Sequence, residues 1–401
     1  MKSYIVSAKR TAIGSFLGTL SGTHPSEPGA AVVKNIMAET GLPADALDEV
    51  IVGNILSAGL GQGIARQTAV KGGISHEVPA YAVNYVCCSG MKAVMNAVDG
   101  IRAGRTQLVL AGGVESMSGA PFILPGKVRA GNKLGDITSV DHIVHDSLTD
   151  AFENVHMGIT AENIAEKLEI SREKQDEYAY NSQQRAIAAV DAGFFKNEIV
   201  PVTVRQGRNE VVFDTDEYPN RSTNLEKLAT LRPAFKKDGT VTAGNASGIN
   251  DGASFTLIAS ETALKKYNLT PLCEIISVGQ SGIDPRFMGL GPVKSTANAL
   301  DSAELKLSDI DLLELNEAFA AQAYGVALEL SKAHNIPLED LLTKTNTNGG
   351  AIALGHPIGA SGNRIIVTLL HSLIRTGKSL GLASLCAGGG MGTAIIIRRP
   401  I

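Results

Sequence analysis

At 401 residues the chain is too long for one ordinary core and suits two domains or a large two-half α/β assembly. Apolar residues make up 44% and charged residues 19%, the balance of an ordered globular protein. A net charge of -4, with no basic cluster beyond pairs such as Lys236-Lys237 and Arg398-Arg399, excludes an electrostatic footprint for nucleic acid. The N-terminal "MKSYIVSAKRT" has no apolar stretch long enough for a signal peptide, so the expected location is the cytoplasm.

In chain order the first half offers a strand at "SYIVSA", a helix near 29–40, a strand at "EVIVGN" and a helix from about 63 to 72. A small-residue elbow at 87–90 then opens a helix to about 102, followed by the strand "QLVLAGG". Surplus chain follows over roughly 119–248, with helical text "TAENIAEKLEISREKQDEYAYNSQQRAIAAV" in which Ser171 can cap the second helix and Ile187 and Val190 sit on an apolar face. This stretch carries 15 Lys/Arg against 19 Asp/Glu, so an anionic ligand there must be held by local groups rather than by a general positive field. The strand "SFTLIAS" at 254–260 closes the first half.

The second half repeats the order: "CEIISVG", a helix near 292–301, "DLLELNE", a helix from about 318 to 333, an elbow at 355–362 opening a helix to about 375, "LGLASLCAGGG", and the closing strand "TAIIIRR" at 393–399. Alternating strands and helices imply a mostly parallel or mixed sheet covered on both faces, and the repetition implies two such units packed together. The uncharged run from Ser379 to Ile397 has membrane-spanning length, but five glycines (381, 388, 389, 390, 392) in a strand-like pattern read as buried sheet plus a tight loop.

Four cysteines, Cys87, Cys88, Cys273 and Cys386, provide no disulfide framework to explain the adjacent pair in "NYVCCSGMKA". The pair lies at the first strand-to-helix elbow, where free backbone N–H groups and the positive end of the helix dipole are expected to stabilise a thiolate. The equivalent elbow of the second half presents "GHPIGASG", with His356 between Gly355 and Pro357, and Cys386 ends the strand that follows the His356 helix. Each piece has a structural reading: buried cysteines commonly fill space, and a histidine beside proline can be a satisfied loop residue. Their coincidence at symmetry-related, glycine-flanked loops points instead to a nucleophile and a base, with a second thiol at the same centre.

In order along the chain, "NYVCCSGMKAV", "AGGVESMS", "HMGITAEN", "LRPAF", "AGNASGINDGA", "NEAFAAQ", "NTNGGAIALGHPIGASG" and "GLASLCAGGGMGTA" resemble the successive motifs of the thiolase family. The likeness is to the biosynthetic type, acetyl-CoA C-acetyltransferase, which joins two acetyl-CoA molecules into acetoacetyl-CoA and CoA. It implies two pseudo-symmetric αβα halves packed as a five-layered αβαβα core, residues 1–118 plus 249–270 and residues 271–401, with 119–248 as an inserted loop subdomain that binds CoA and makes tetramer contacts. The stretch "KVRAGNKLGDITSVDHIVHDSLTDAF" resembles the loop through which such enzymes join two tight dimers into a homotetramer.

The resemblance also assigns roles. Asn84, three residues earlier, marks Cys87 as the nucleophile, and Cys88 falls where the family usually has glycine or alanine, a small space-filler. His356 would take the proton of Cys87, and Cys386 would deprotonate the methyl group of the second acetyl-CoA. The enolate would be held by His356 and a water on Asn316, and the oxyanion at the acetylated cysteine by the N–H groups of Cys87 and Gly388. Ser247, with Ala246 in "NASG", would contact pantetheine, His156 and Met157 would line its tunnel, and Met288 would lie near the acyl group. The family's basic residue at the adenine is shifted here, with Asn220 at the expected position and Arg221 beside it, and Met391 replaces a usual glutamine. CoA serves as carrier with no metal or redox cofactor; the expected partners are acetyl-CoA, acetoacetyl-CoA and CoA, with no membrane. Three alternatives remain open: a broader-chain 3-ketoacyl-CoA thiolase of fatty-acid β-oxidation, a ketoacyl-carrier-protein synthase, which the thiol Cys386 argues against, and a non-catalytic dimeric scaffold.

Overall fold

A computed structural model describes residues 1–400. The strands of the first half are β1 (Ser3–Arg10), β2 (Glu49–Gly53), β3 (Ala80–Val83), β4 (Leu108–Ser116) and β5 (Asn250–Ser260), and those of the second are β6 (Cys273–Gly282), β7 (Leu312–Leu315), β8 (Leu380–Ala387) and β9 (Met391–Arg398). The helices used below are α1 (Ser26–Thr40), α2 (Ile64–Lys71), α3 (Ser89–Arg102), α4 (Met157–Lys167), α5 (Arg172–Asp191), α6 (Gly291–Ser302), α7 (Ala320–His334) and α8 (Ile358–Thr376).

The strand order is β7-β8-β9-β6-β1-β5-β4-β2-β3, a single hydrogen-bonded path rather than two separate sheets. The halves meet edge to edge through three antiparallel pairs, Ser3 with Ile275, Tyr4 with Glu274 and Ile5 with Cys273. Register irregularities follow at Ile5/Ser7 and Ile275/Ser277, so beyond them β1 and β6 follow their own halves. Between the two halves lie α3 and α8. α3 packs on β2 and β4 and also reaches β9, while α8 packs on β4 and β5 from one half and β7 and β8 from the other. α1 and α2 cover the outside of the first half and α6 and α7 the outside of the second, which completes an αβαβα layering. Burial follows this position: α8 is enclosed from Ile358 through Leu370 on every face, as a helix between two sheets must be.

β3 is a parallel edge strand on β2 that the sequence reading did not recognise, because none of its four residues is fully buried, Tyr81 and Ala82 are exposed, and the strand lacks alternation. Its counterpart in the second half shrinks to one parallel bridge between Leu313 and Thr345. The run from Ser379 to Ile397 forms antiparallel β8 and β9, not a helix, and no helix among the described residues is long and apolar enough to cross a membrane.

Glycines let the central helices touch. A Cβ on Gly90 would stand 2.8 Å from Gly359 O and 2.9 Å from Asn363 N, so any side chain there would push the two helix N-termini apart. That contact brings the Cys87 and His356 elbows together. The chain between β4 and β5 leaves the sheet and carries α4, α5 and a hairpin of Val202–Gln206 with Asn209–Phe213. Ser171 caps α5 by accepting from Lys174 N at 3.3 Å, whereas its fully buried stripe is Ala179, Ser182, Ala186 and Ala189; Ile187 and Val190 are half-buried.

Candidate active site

The Cys87 elbow is a tight, strained turn. Val86, a β-branched residue, is held at φ 48°, a left-handed conformation that such side chains avoid. Asn84 Oδ1 accepts from Val86 N at 3.1 Å, and Ser89 Oγ accepts from Tyr85 N and donates to Val86 O, both at 2.7 Å. Cys88 N and Ser89 N donate back to Tyr85 O and Val86 O, so the first N–H groups at the start of α3 are consumed by the turn. Of the free N–H groups expected to stabilise a thiolate, those of Cys88 and Ser89 are thus spent on the turn, and the one that still acts on the thiol is that of Cys87 itself. Burial pushes the Cys87 thiol up to about 11, with Glu115 adding to the rise, while the N–H groups of Gly388 and of Cys87 itself draw it back. Cys88 is fully buried in the central core, its Sγ donating to Leu385 O at 3.4 Å, and is not part of the cavity wall.

The His356 elbow is fixed by distant residues. Gly355, at φ 102°, lies against Asn250, whose Oδ1 accepts from His356 N at 2.9 Å and whose Nδ2 donates to Gly14 O at 3.0 Å. His356 Nδ1 sits 2.6 Å from Ser361 Oγ, which donates its hydrogen to Pro357 O at 2.9 Å. Ser361 then accepts from Nδ1–H, which leaves Nε2 as the bare nitrogen. Burial, with the Arg364 cation adding to it, holds this imidazole down at about 3, so it is neutral. Asn316 Nδ2 lies 3.5 Å from Nε2, and Asn316 Oδ1, buried, has no protein partner.

Cys386 stands near the end of β8, before the turn Gly388–Gly390 in which Gly389 and Gly390 take φ 82° and 81°. Burial raises its thiol well above the ordinary range, with Cys87 and then Cys88 adding to the rise. Met391 opens β9, half-buried against the central core.

Cys87, His356 and Cys386 share the wall of one cavity of about 350 Å³, completed by His156, Met157, Ala246, Ser247 and Met288. Ala246 and Ser247 are tethered to the segment after β7 by the bridge of Ala246 with Phe319 and by Ser247 N donating to Ala318 O at 2.9 Å. His156 caps α4, its Nδ1 accepting from Gly158 N at 3.0 Å, and stacks on Phe235 with ring centroids 4.6 Å apart. Asn316 and Gly388 reach the centre through His356 and Cys87 respectively. Arg221 does not join them: its exposed guanidinium pairs with Asp191, with Nη1 3.0 Å from Oδ2, and no part of it lines the cavity. Sequence reasoning missed Asn250, Ser361, Phe235, Phe319 and Tyr218 as site residues; the first four lie within its quoted motifs, which was the available signal.

Residues 3–262 match the model of the thiolase N-terminal domain and residues 269–399 that of the thiolase C-terminal domain. An acetyl-CoA acetyltransferase of Pseudomonas aeruginosa is 50% identical over 396 residues, 98% of each chain. One of Chromobacterium violaceum is 51% identical over 401 residues, 100% of each. Among solved structures, acetyl-CoA acetyltransferase from Syntrophomonas wolfei superposes with a TM-score of 0.96 at 39% identity, over 100% of this chain and 99% of that one. Human mitochondrial 3-ketoacyl-CoA thiolase superposes with a TM-score of 0.94 at 43% identity, with the same coverage.

Proposed function

The chain belongs to the thiolase family, and from that premise we infer that it is an acetyl-CoA C-acetyltransferase, an acyltransferase that interconverts two acetyl-CoA with acetoacetyl-CoA and CoA. The observation that carries the mechanism is the convergence of Cys87, His356 and Cys386 on one largely apolar cavity.

With a thiol pushed up to about 11 facing an imidazole held near 3, a free thiolate–imidazolium pair is disfavoured in the resting site. The proton therefore moves from Cys87 Sγ to His356 Nε2 as the sulfur attacks the acetyl carbonyl, not ahead of it. The N–H groups of Cys87 and Gly388 stabilise the oxyanion, CoA departs taking the proton from His356, and the acetyl group stays on Cys87 as a thioester. After a second acetyl-CoA enters, Cys386, a neutral thiol at rest, passes its proton to His356 Nε2 as its sulfur removes a methyl proton. The Nε2–H so formed and a water on Asn316 stabilise the enolate oxygen, and the enolate carbon displaces Cys87 from its thioester to give acetoacetyl-CoA. The departing Cys87 sulfur takes its proton back from His356, which leaves Cys386 as the thiol and His356 neutral, as at the start. Each step has a protein group to perform it, so the scheme assigns no metal or redox cofactor a part. Ser247, Ala246, His156 and Met157 hold the pantetheine, and Met288 bounds the acyl end. Arg221, exposed and paired with Asp191, is the cation that we assign to the adenine, on release from that pair.

A short pulse of radiolabelled acetyl-CoA, followed by peptide mapping, should place one acetyl group on Cys87; an unlabelled protein would leave the scaffold reading standing. The broader-chain reading draws on the likeness to 3-ketoacyl-CoA thiolase. Against it, buried Met157, Met288 and Phe319 wall the cavity, so acetoacetyl-CoA should be cleaved far faster than a ten-carbon ketoacyl-CoA. Comparable rates would favour the broader substrate range. For assembly we propose the homotetramer. Its support is the 127–152 loop and adjoining strand, which expose Phe122, Leu124, Leu134 (94% exposed) and Phe152 (73%), side chains that a second copy would cover. A dimer only, by light scattering at micromolar concentration, would count against it.

A further inference from the structure

Glu115, on β4, is 1% exposed and has no role in the scheme above. Its carboxylate accepts from four N–H groups: Asn54 Nδ2 at 2.8 Å, Ile55 N and Leu56 N at 3.1 Å, and Gly359 N at 2.9 Å. No cationic side chain is among these donors. A buried carboxylate without a counter-cation is costly, and burial pushes this one up to about 7, with Asp251 adding to the rise. An apolar residue would fill the same space more cheaply if filling were all that the position required.

The four donors come from two places that matter to the reaction. Gly359 lies three residues after His356, in the first turn of α8, and is seated so closely that a Cβ on it would stand 2.7 Å from Glu115 Oε2 and 2.9 Å from Gly53 O and Val114 O. Residues 54–56 follow β2, and Asn54 N donates to Val83 O at 3.1 Å, at the end of β3 just before the Cys87 elbow. Ile55, Leu56 and Ile358 then pack with Met117 in a cluster against which Cys87 and Leu148 rest.

We propose that Glu115 is a positioning residue for acyl transfer: one carboxylate ties the turn that carries His356 to the loop beneath the Cys87 elbow, and so sets base against nucleophile. Where α3 and α8 start, Gly90 and Gly359 bring backbone against backbone, and Glu115 fixes the register of that contact from the sheet side. Glutamine cannot replace it. It has one acceptor oxygen, and its NH2 would face backbone donors.

The proposal rests on Cys87 being the acetylated residue, and the test separates the two. Wild type, E115Q and E115D are mixed with radiolabelled acetyl-CoA in a rapid-quench instrument, and the labelling of Cys87 is followed against acetyl-CoA concentration, per mole of folded protein judged by near-ultraviolet circular dichroism. Positioning requires that E115Q reach a saturating labelling rate about 10–100-fold below wild type with half-saturation within about twofold, and that E115D, which keeps both oxygens, fall between them. Should E115Q not fold, E115D carries the same criterion. Equal saturating rates per folded molecule, or a loss confined to half-saturation, would overturn the inference. Absence of label on wild type would overturn instead the assignment of Cys87.

Discussion

The two elbows occupy equivalent places in the two halves and are built in opposite ways. At the Cys87 elbow the turn is closed by neighbours: Asn84 and Ser89 hydrogen-bond within a few residues and hold Val86 in its left-handed conformation. At the His356 elbow Ser361 is the one local side chain on the imidazole. The backbone N–H is held by Asn250, 106 residues away in sequence, and Gly359 by Glu115, 244 away. The nucleophile's turn is thus a self-contained strained device, whereas the base is placed by the packing of one half against the other.

The largest effect that this contrast predicts is at the reacting groups themselves. Cys87→Ala should form no acetyl-enzyme and lose at least about 10³-fold in kcat. Cys386→Ala should lose turnover to a similar extent while still taking the acetyl group on Cys87, because His356 and the first elbow are intact. Mass mapping after a pulse reads both; an acetyl group held stably on Cys88, or lost in both variants alike, would break the division.

Next come the groups that hold each elbow. Asn250→Ala strips His356 N and Gly14 O of buried partners, a loss of about 1–3 kcal/mol in stability, and should slow Cys87 acetylation by about 10-fold or more. Asn84→Ala removes one exposed hydrogen bond of a turn that Ser89 still closes, and should cost about 1 kcal/mol or less and less than about fivefold in rate. If Asn84→Ala proved the more damaging, the contrast between local and distant support would be reversed.

A pH measurement sharpens the same point. His356 is held near 3 in the folded protein against an ordinary value of 6.5, so between those values the unfolded chain binds the proton that the folded chain refuses. Stability contributed by the neutral imidazole is complete above about pH 6.5 and is lost as the pH falls toward 3, by up to about 1.4 kcal/mol per unit. His356→Asn should flatten that acid slope in urea unfolding. Glu115, raised to about 7, works in the opposite direction between its ordinary 4.5 and 7, so the difference between wild type and variant is the quantity to read. An unchanged slope would mean that the histidine is solvated after all. The smallest effect expected is Cys88→Ala, with activity within about twofold and a stability cost of about 1 kcal/mol, since a buried thiol that lines no cavity contributes packing alone.

Much of this was written in local pattern. Apolar strands such as "SFTLIAS", the elbow ahead of "SGMKAV" and the Ser171 cap follow from period and capping chemistry, which depend on neighbours in the chain. The doubled order of elements and the quoted motifs put Cys87, His356 and Cys386 forward as candidates for the same reason. Tertiary structure decided what depends on distant residues. It joined the halves through the three pairs of β1 with β6, which no local pattern records. It spent the Cys88 and Ser89 N–H groups on the turn and left the Cys87 thiol raised rather than lowered, because desolvation outweighed the N–H groups of Cys87 and Gly388. It gave Arg221 to Asp191 on the surface, and it brought Asn250 and Glu115 to the His356 turn. The physical reason is that hydrogen-bond partners and desolvation are properties of what surrounds a group in space, and across a sheet crossing those surroundings come from residues hundreds of positions away.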